Sequence, residues 1–287
     1  PGVQAAEAEA RALTADLRGA RAGYYPRLTV EALAATSGSS FADRDGLALN
    51  AVVEQPLWAG GRIDGQVARA RAGRDAGEDR VRSARQRILL ETIAAYENYL
   101  LAEHRLAVLQ ASLAQHRTLL ESIGRRVAQE VSPLADLTLG RSRAAQVEIE
   151  IAAAQELQQS ARLRLYELTG SQEVIPVAPD PALIAMLPAE DLALADAMAC
   201  DPDLAALGHG IEMAAADNDI ARAQLWPQLL GQLSQNEITG ARAALVVRMQ
   251  LGNGASQLAA IDSTEARQLR AQAQFDQAQR EVREELR

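Results

Sequence analysis

The side chains able to do chemistry in this 287-residue chain are few: three histidines, one cysteine and some closely spaced carboxylates. Histidine serves as a metal ligand or an acid–base group, but only His104 and His116 share a predicted helix, and twelve residues apart they do not lie on a common turn. His209 is remote from both, and a metal site would need closer ligands or a third group that the sequence does not indicate. Cys200, the single cysteine, can form no intrachain disulfide; in its Ala-rich helical stretch it is expected to be a buried small apolar residue. Glu148 with Glu150, and Glu284 with Glu285, read most simply as solvated helix faces. No catalytic residue, cofactor or metal is therefore predicted, and the chain is read as something other than an enzyme.

Composition turns attention from chemistry to architecture. Aromatics make up 3% of residues, while Ala, Leu, Gln, Glu and Arg dominate, the bias of long helices and coiled coils. The formal net charge is -9, all 29 basic residues are arginine, and they are interspersed with acids along helical stretches, so nucleic acid is not an expected partner. No apolar run of about 18 residues would make a transmembrane helix. Strands of about 9 to 11 residues can still cross a membrane as a closed barrel. The chain opens on Pro1-Gly2-Val3-Gln4 without a signal peptide, so that either it has been trimmed or it stays in the cytosol.

The elements follow from periodicity and breakers. A helix is expected from Ala5 to Gly23, ended by Tyr24-Tyr25-Pro26, because proline drives the preceding residue toward extended geometry. Arg27 to Ser37 and Leu47 to Leu57 read as two strands of a β-hairpin (27–57) around the loop Gly38 to Gly46, with Leu47, Leu49, Ala51 and Val53 on one face. From about Ile63 to Glu130 no proline interrupts a helical pattern on the order of 100 Å long, which needs support along its length. Tyr99, Leu106, Leu113, Leu120 and Val127, with Leu109 and Ile123, recur as a coiled-coil seam. Beyond Ser132-Pro133 the seam resumes through Leu137, Ala144, Ile151 and Leu165, with Val147, Ala154, Ala161 and Leu168. The two segments are expected to form an antiparallel helical hairpin (63–169) with its tip near 131–134, Ser132 acting as N-cap and Pro133 as first helical residue. Residues 172–188 are a proline-rich connector; helix resumes near Ala189, is punctuated at Asp201-Pro202 and runs to Leu225.

The most informative feature is an internal repeat. Ala20-Arg21-Ala22 with Tyr25-Pro26-Arg27-Leu28 is matched 201 residues later by Ala221-Arg222-Ala223 with Trp226-Pro227-Gln228-Leu229. Val52-Val53, Leu57 and Gly60 are matched 194 residues later by Val246-Val247, Leu251 and Gly254. The domain reading is therefore a first repeat over 1–171, the connector, and a second repeat over 189–287 with a β-hairpin at 229–251 (strands Leu229 to Gln235 and Ala243 to Leu251). The second long helix is still running at Leu286, so a second helical hairpin is expected beyond it.

This order of elements resembles the TolC-like outer-membrane efflux and type I secretion channels, on ARAGYYPRL (20–28), QPLWAGGR (55–62), EVSPLADLTLGRSR (130–143) and ARAQLWPQL (221–229). The resemblance implies a mainly α fold with a minor β part, in which three protomers close a 12-stranded outer-membrane barrel continued by a periplasmic helical tunnel. It implies a homotrimer in outer-membrane lipid, working with a periplasmic adaptor (membrane fusion) protein and an inner-membrane RND or ABC transporter. Val131, Ser132, Pro133, Leu134 and Asp136 stand where the family's adaptor-contact tip lies, with Glu130 where glycine is common. Tyr25, Pro26, Trp58, Gly60, Gly61, Trp226 and Pro227 fall at the barrel–tunnel junction, the tryptophans serving either as an interfacial belt or as plugs of the taper. In such a tunnel an acidic lining that selects cations is an alternative reading of the carboxylate pairs.

Two other functions compete. A periplasmic adaptor also carries a helical hairpin but flanks it with β-rich domains, whereas here β-hairpins recur inside a tandem helical repeat. A cytosolic coiled-coil scaffold leaves unexplained why strand pairs interrupt the helices twice at equivalent places.

Overall fold

In the computed structural model the described residues are 2–35, 46–171, 173, 175, 177, 180, 182, 186, 189–236, 240–249 and 254–285. The expected loop 38–46 falls almost wholly outside them, as do much of the connector and the last expected strand residue, Leu251. Helices α1 (Gly2–Ala22), α2 (Arg62–Ala128), α3 (Leu134–Thr169), α4 (Glu190–Cys200), α5 (Pro202–Ala223) and α6 (Gly254–Glu285) accompany strands β1 (Arg27–Ala35), β2 (Gly46–Trp58), β3 (Gln228–Asn236) and β4 (Gly240–Arg248). The expected mainly helical class with a small sheet is what forms. Contacts divide the chain into two compact units, residues 1–84 with 188–287, and residues 85–187, a division that cuts across the sequence repeats.

In the first unit the four strands make one antiparallel sheet in the order β1-β2-β3-β4. Its hairpin registers reproduce the repeat: Arg27 faces Glu54 in the first hairpin and Gln228 faces Arg248 in the second, separated by the same 201 and 194 residues. The hairpins join through β2 and β3, where Glu54 faces Gln232; a register shift lies between Pro56 and Trp58, where the proline can donate no ladder hydrogen bond. The fourth strand begins and ends three residues earlier than expected, at Gly240 and Arg248, because the ladder starts from Asn236 facing Gly240, whose φ of 67° suits a turn.

Around the sheet the helices pack through small residues. A Cβ on Gly77 of α2 would stand 2.6 Å from Leu13 Cδ1 of α1, and one on Gly65 would stand 2.8 Å from Ile220 Cγ1 of α5. Arg69 pairs with Asp217 at 2.7 Å on the same two helices. Asp79, 1% exposed, is ion-paired with Arg82, and its Oδ2 lies 3.5 Å from His209 Nε2 without a hydrogen bond. His209 is thus placed beside a buried carboxylate. Asp201 caps α5, accepting from the N–H groups of Asp203 (2.7 Å) and Leu204 (3.1 Å), with Pro202 at the first helical position. Cys200, expected to be buried, is exposed instead, because it ends α4 immediately before this break.

The second unit is the helical hairpin. Every residue of the predicted seam, from Tyr99 to Val127 and from Leu137 to Leu168, is buried or half-buried, whereas Leu101, Val108, Leu119, Leu139 and Ile149 on the other faces are exposed. Arg164 meets Glu91 at 2.6 Å and Arg117 meets Glu148 at 3.2 Å, the crossing pattern of antiparallel helices. Tyr96 Oη donates to the carbonyl of Val177 at 2.9 Å, fastening part of the connector to α2. Helix α2 stops at Ala128, two residues earlier than expected. At the other side of the reversal Pro133, with ψ of 151°, is the N-cap, and Ser132 does not cap: the helical geometry begins one residue later than expected, at Leu134.

Where the chain leaves β2, Gly60 and Gly61 have φ of 60° and 88°, the left-handed region that L side chains disfavour. A Cβ on Gly60 would also stand 2.7 Å from Trp226 Cβ, whereas one on Gly61 would meet nothing within 4 Å. Gly61→Ala is expected to cost roughly 1 to 2 kcal/mol of backbone strain, and Gly60→Ala that amount plus an overpacking term of about 1 to 3 kcal/mol. Thermal unfolding followed by circular dichroism checks the order: a Gly60→Ala protein as stable as Gly61→Ala contradicts the close approach.

Candidate functional site

Residues facing one another across a ladder share a sheet face, so the strand registers sort the sheet's side chains between its two faces. One face carries Leu28, Val30, Ala32, Leu49, Ala51, Val53, Leu229, Gly231, Leu233, Ala241, Ala243, Leu245 and Val247. Gln55 and Gln235 are its polar members, and Gln55 Nε2 donates at 2.8 Å to the carbonyls of Tyr24 and Pro56. The opposite face carries Arg27, Thr29, Glu31, Asn50, Glu54, Gln228, Gln232, Ser234, Arg242 and Arg248, with Val52, Pro56, Leu230, Ala244 and Val246 among them. Arg248 reaches across β3 to Glu54 at 3.3 Å.

Among the described residues this apolar face is largely exposed. Val30, Leu49, Leu233, Leu245 and Val247 keep between 47% and 73% of their surface accessible. A contiguous exposed apolar surface on that scale marks contact with a membrane or another protein. Every charged side chain of these 9- to 13-residue strands lies on one face while the other is almost wholly apolar, the pattern of a sheet with lipid on one side and water on the other. Among the described residues no helix is long and apolar enough to cross a membrane.

At one end of the sheet the structure brings together Trp58, Gly60 and Trp226. The two indoles meet edge-to-face, 6.4 Å between centroids and 80° between planes, and Trp226 lies over Gly60. Gly61 and Pro227 flank this contact in the chain. Tyr25, the repeat equivalent of Trp226, is 69% exposed and Pro26 is exposed beside it, so neither joins the tryptophan pair. Tyr24, its neighbour, donates its hydroxyl to Asp64; that hydrogen bond first, then desolvation and the carboxylate's charge, hold the phenol above its ordinary pKa.

The helical tip gathers Val131, Ser132, Pro133, Leu134 and Asp136 in one turn. Val131 and Ser132 donate to the Arg126 carbonyl at 2.9 and 3.3 Å, and the Asp136 N–H donates to the Pro133 carbonyl at 3.1 Å. Val131 and Leu134 are both about two-thirds exposed (65% and 66%). Glu130, the position where the resembling family commonly has glycine, takes φ of 58°. The reversal needs a left-handed residue, and glutamate adopts it at a cost of about 1 to 2 kcal/mol.

Sequence reasoning did not identify the charged members of the polar sheet face. Part of their signal was available in the alternation of β1, Arg27 to Ala32, but face assignment across strands requires the register.

Residues 1–171 match the family model described as outer membrane efflux protein. A membrane protein from Pseudomonas aeruginosa superposes with a TM-score of 0.80 at 22% identity, covering 98% of this chain and 70% of that one. The outer membrane protein VceC of Vibrio cholerae gives 0.80 at 21%, with 98% and 72% covered. The open-state outer membrane channel MtrE of Neisseria gonorrhoeae gives 0.76 at 18%, with 98% and 67% covered. No curated protein matches the chain. These structures carry the fold and the family model carries more than half the sequence: the chain belongs to the outer membrane efflux protein family, whose members are conduits of the Gram-negative outer membrane and not enzymes.

Proposed function

We propose that this chain supplies one protomer of a homotrimeric outer-membrane channel, the outer component of a tripartite efflux pump or type I secretion system, conducting substrate passively from periplasm to exterior. The observation that carries this reading is the four-stranded sheet with one exposed apolar face, one polar face and two unpaired edges, β1 and β4. Strands of nine residues or more span the hydrocarbon of a bilayer. Each unpaired backbone group along such an edge costs several kcal/mol in lipid, so a few of them outweigh a typical domain stability of about 10 kcal/mol. The edges must then be closed by other copies, and three copies of four strands give a 12-stranded barrel wide enough for a water-filled lumen lined by the polar face.

In this scheme the junction residues Tyr25, Pro26, Trp58, Gly60, Gly61, Trp226 and Pro227 mark the passage from barrel to helical tunnel. The tip residues Val131, Ser132, Pro133, Leu134 and Asp136 meet a periplasmic adaptor, which couples the channel to an inner-membrane RND or ABC transporter. The exposed Val131 and Leu134 support that role, since apolar side chains held out on a tight turn gain by being covered.

Two outcomes test the proposal. In planar bilayers the intact protein is expected to show discrete conducting events, and crosslinking of the same preparation to count three protomers; a soluble, non-conducting monomer or dimer overturns the channel reading. Leu134→Asp and Asp136→Arg are each expected to lower export in cells severalfold while leaving trimer insertion unchanged, and normal export by both variants counts against the tip assignment.

A further inference from the structure

The repeat that organises the chain also specifies how one copy meets the next. Within the chain, β2 of the first repeat pairs with β3 of the second, Glu54 opposite Gln232 and Val53 opposite Leu233. The repeat equivalent of β2 is β4, 194 residues on, and the equivalent of β3 is β1, 201 residues back. Both β4 and β1 are sheet edges. Carrying the internal pairing over by these two offsets places Arg248 opposite Glu31, Val247 opposite Ala32 and Met249 opposite Val30.

We propose that β4 of one copy pairs antiparallel with β1 of the next in this register; the proposal rests on the oligomeric channel reading and adds to it the strand register at the subunit boundary. Three independent features agree with it. Val247 and Ala32 lie on the apolar face and Arg248 and Glu31 on the polar face, so both faces continue across the boundary. A slip of one residue inverts the faces of the incoming strand. Among the registers that keep the faces aligned, this one sets an arginine against a glutamate, whereas a slip of four residues sets Arg248 against Arg27, a like-charge pair that destabilises a ladder.

The third feature lies at the end of the sheet. Inside the chain Trp226 covers Gly60, close enough that a Cβ there would stand 2.7 Å away. Their repeat equivalents are Tyr25 and Gly254. Among the described residues nothing lies within 4 Å of the Gly254 Cβ position, and Tyr25 is 69% exposed, so the described residues of one copy do not make this second aromatic–glycine contact. Pairing β4 with β1 of a neighbour places Tyr25 of that neighbour at the same end of the sheet as Gly254.

Double-cysteine variants of the intact protein, in a Cys200→Ser background and in outer-membrane vesicles, read the register directly. Val247→Cys is combined in turn with Val30→Cys, Ala32→Cys or Ala34→Cys, and Arg248→Cys with Thr29→Cys, Glu31→Cys or Leu33→Cys. Neighbouring ladder pairs alternate between close and wider spacing, so at least one of Val247/Ala32 and Arg248/Glu31 is the closer type. A two-residue slip moves the partner by about 7 Å, beyond disulfide reach. The expected result is a covalent dimer-to-trimer ladder on oxidation for those pairs and its loss for the slipped pairs. A ladder from a slipped pair, or none from either proposed pair in a preparation that remains trimeric, overturns the register and leaves the channel standing. A monomer without crosslinks overturns both.

Discussion

The pairing of β2 with β3 is the interaction on which the rest of the first unit depends. It joins strands from different repeats, Glu54 to Gln232, and turns two separate hairpins into one four-stranded surface with distinct faces. Closing a chain segment of that length costs on the order of 5 kcal/mol of entropy. The ladder alone is not what offsets it. Helices α2 and α5 follow and precede the same strands and pack closely enough that Gly65 and Ile220 leave no room for a further carbon. Edge-to-face contact of Trp58 with Trp226 ties strand exit to strand entry at the same point. A pair of hairpins without these helices would have little to hold its register.

The two faces of that sheet divide the energetic problem. On the polar face the Glu54–Arg248 pair is partly exposed and contributes about 1 kcal/mol at most. Its meaning lies in where charge is tolerated: arginines and glutamates on one face and aliphatic side chains on the other allow water on one side and hydrocarbon on the other. Asp79 is the contrasting case in the same unit. A carboxylate 1% exposed is ion-paired there with Arg82 through one oxygen, while its other oxygen, Oδ2, has no hydrogen-bond partner among the described residues. In the helical hairpin the division is simpler, with small and branched residues inward and Leu101, Val108, Leu119 and Leu139 outward, an apolar surplus suited to neighbouring helices.

Much of this was legible in one dimension. The seam residues Tyr99 to Leu168 were identified by their seven-residue spacing because heptad periodicity is a direct consequence of helix geometry. The first strand pair was found by its small, β-branched and alternating apolar residues and the second by its likeness to the first. Errors fell at ends: Ser132 against Pro133 as the cap, Ala128 against Glu130 as the last turn, and the three-residue displacement of β4. Ends are set by which backbone groups find partners, and local residue type constrains that only weakly. The junction was recognised as a group, yet Tyr25 stands apart from Trp58 and Trp226, since a repeat relates environments and not contacts.

By itself the sequence determined the helical class, the tandem repeat, the seam of the hairpin, the position of its reversal and the absence of a recognisable catalytic constellation. Each of these depends on residue type and spacing within a few turns or on similarity between segments. Tertiary structure alone decided that β2 pairs with β3, that the exposed aliphatic residues of four strands share one face opposite Arg27, Glu31, Glu54 and Arg248, and that Trp226 lies over Gly60. Those facts relate residues nearly two hundred positions apart. No local periodicity encodes such a relation; it is fixed only when ladder hydrogen bonds and helix packing choose one register together.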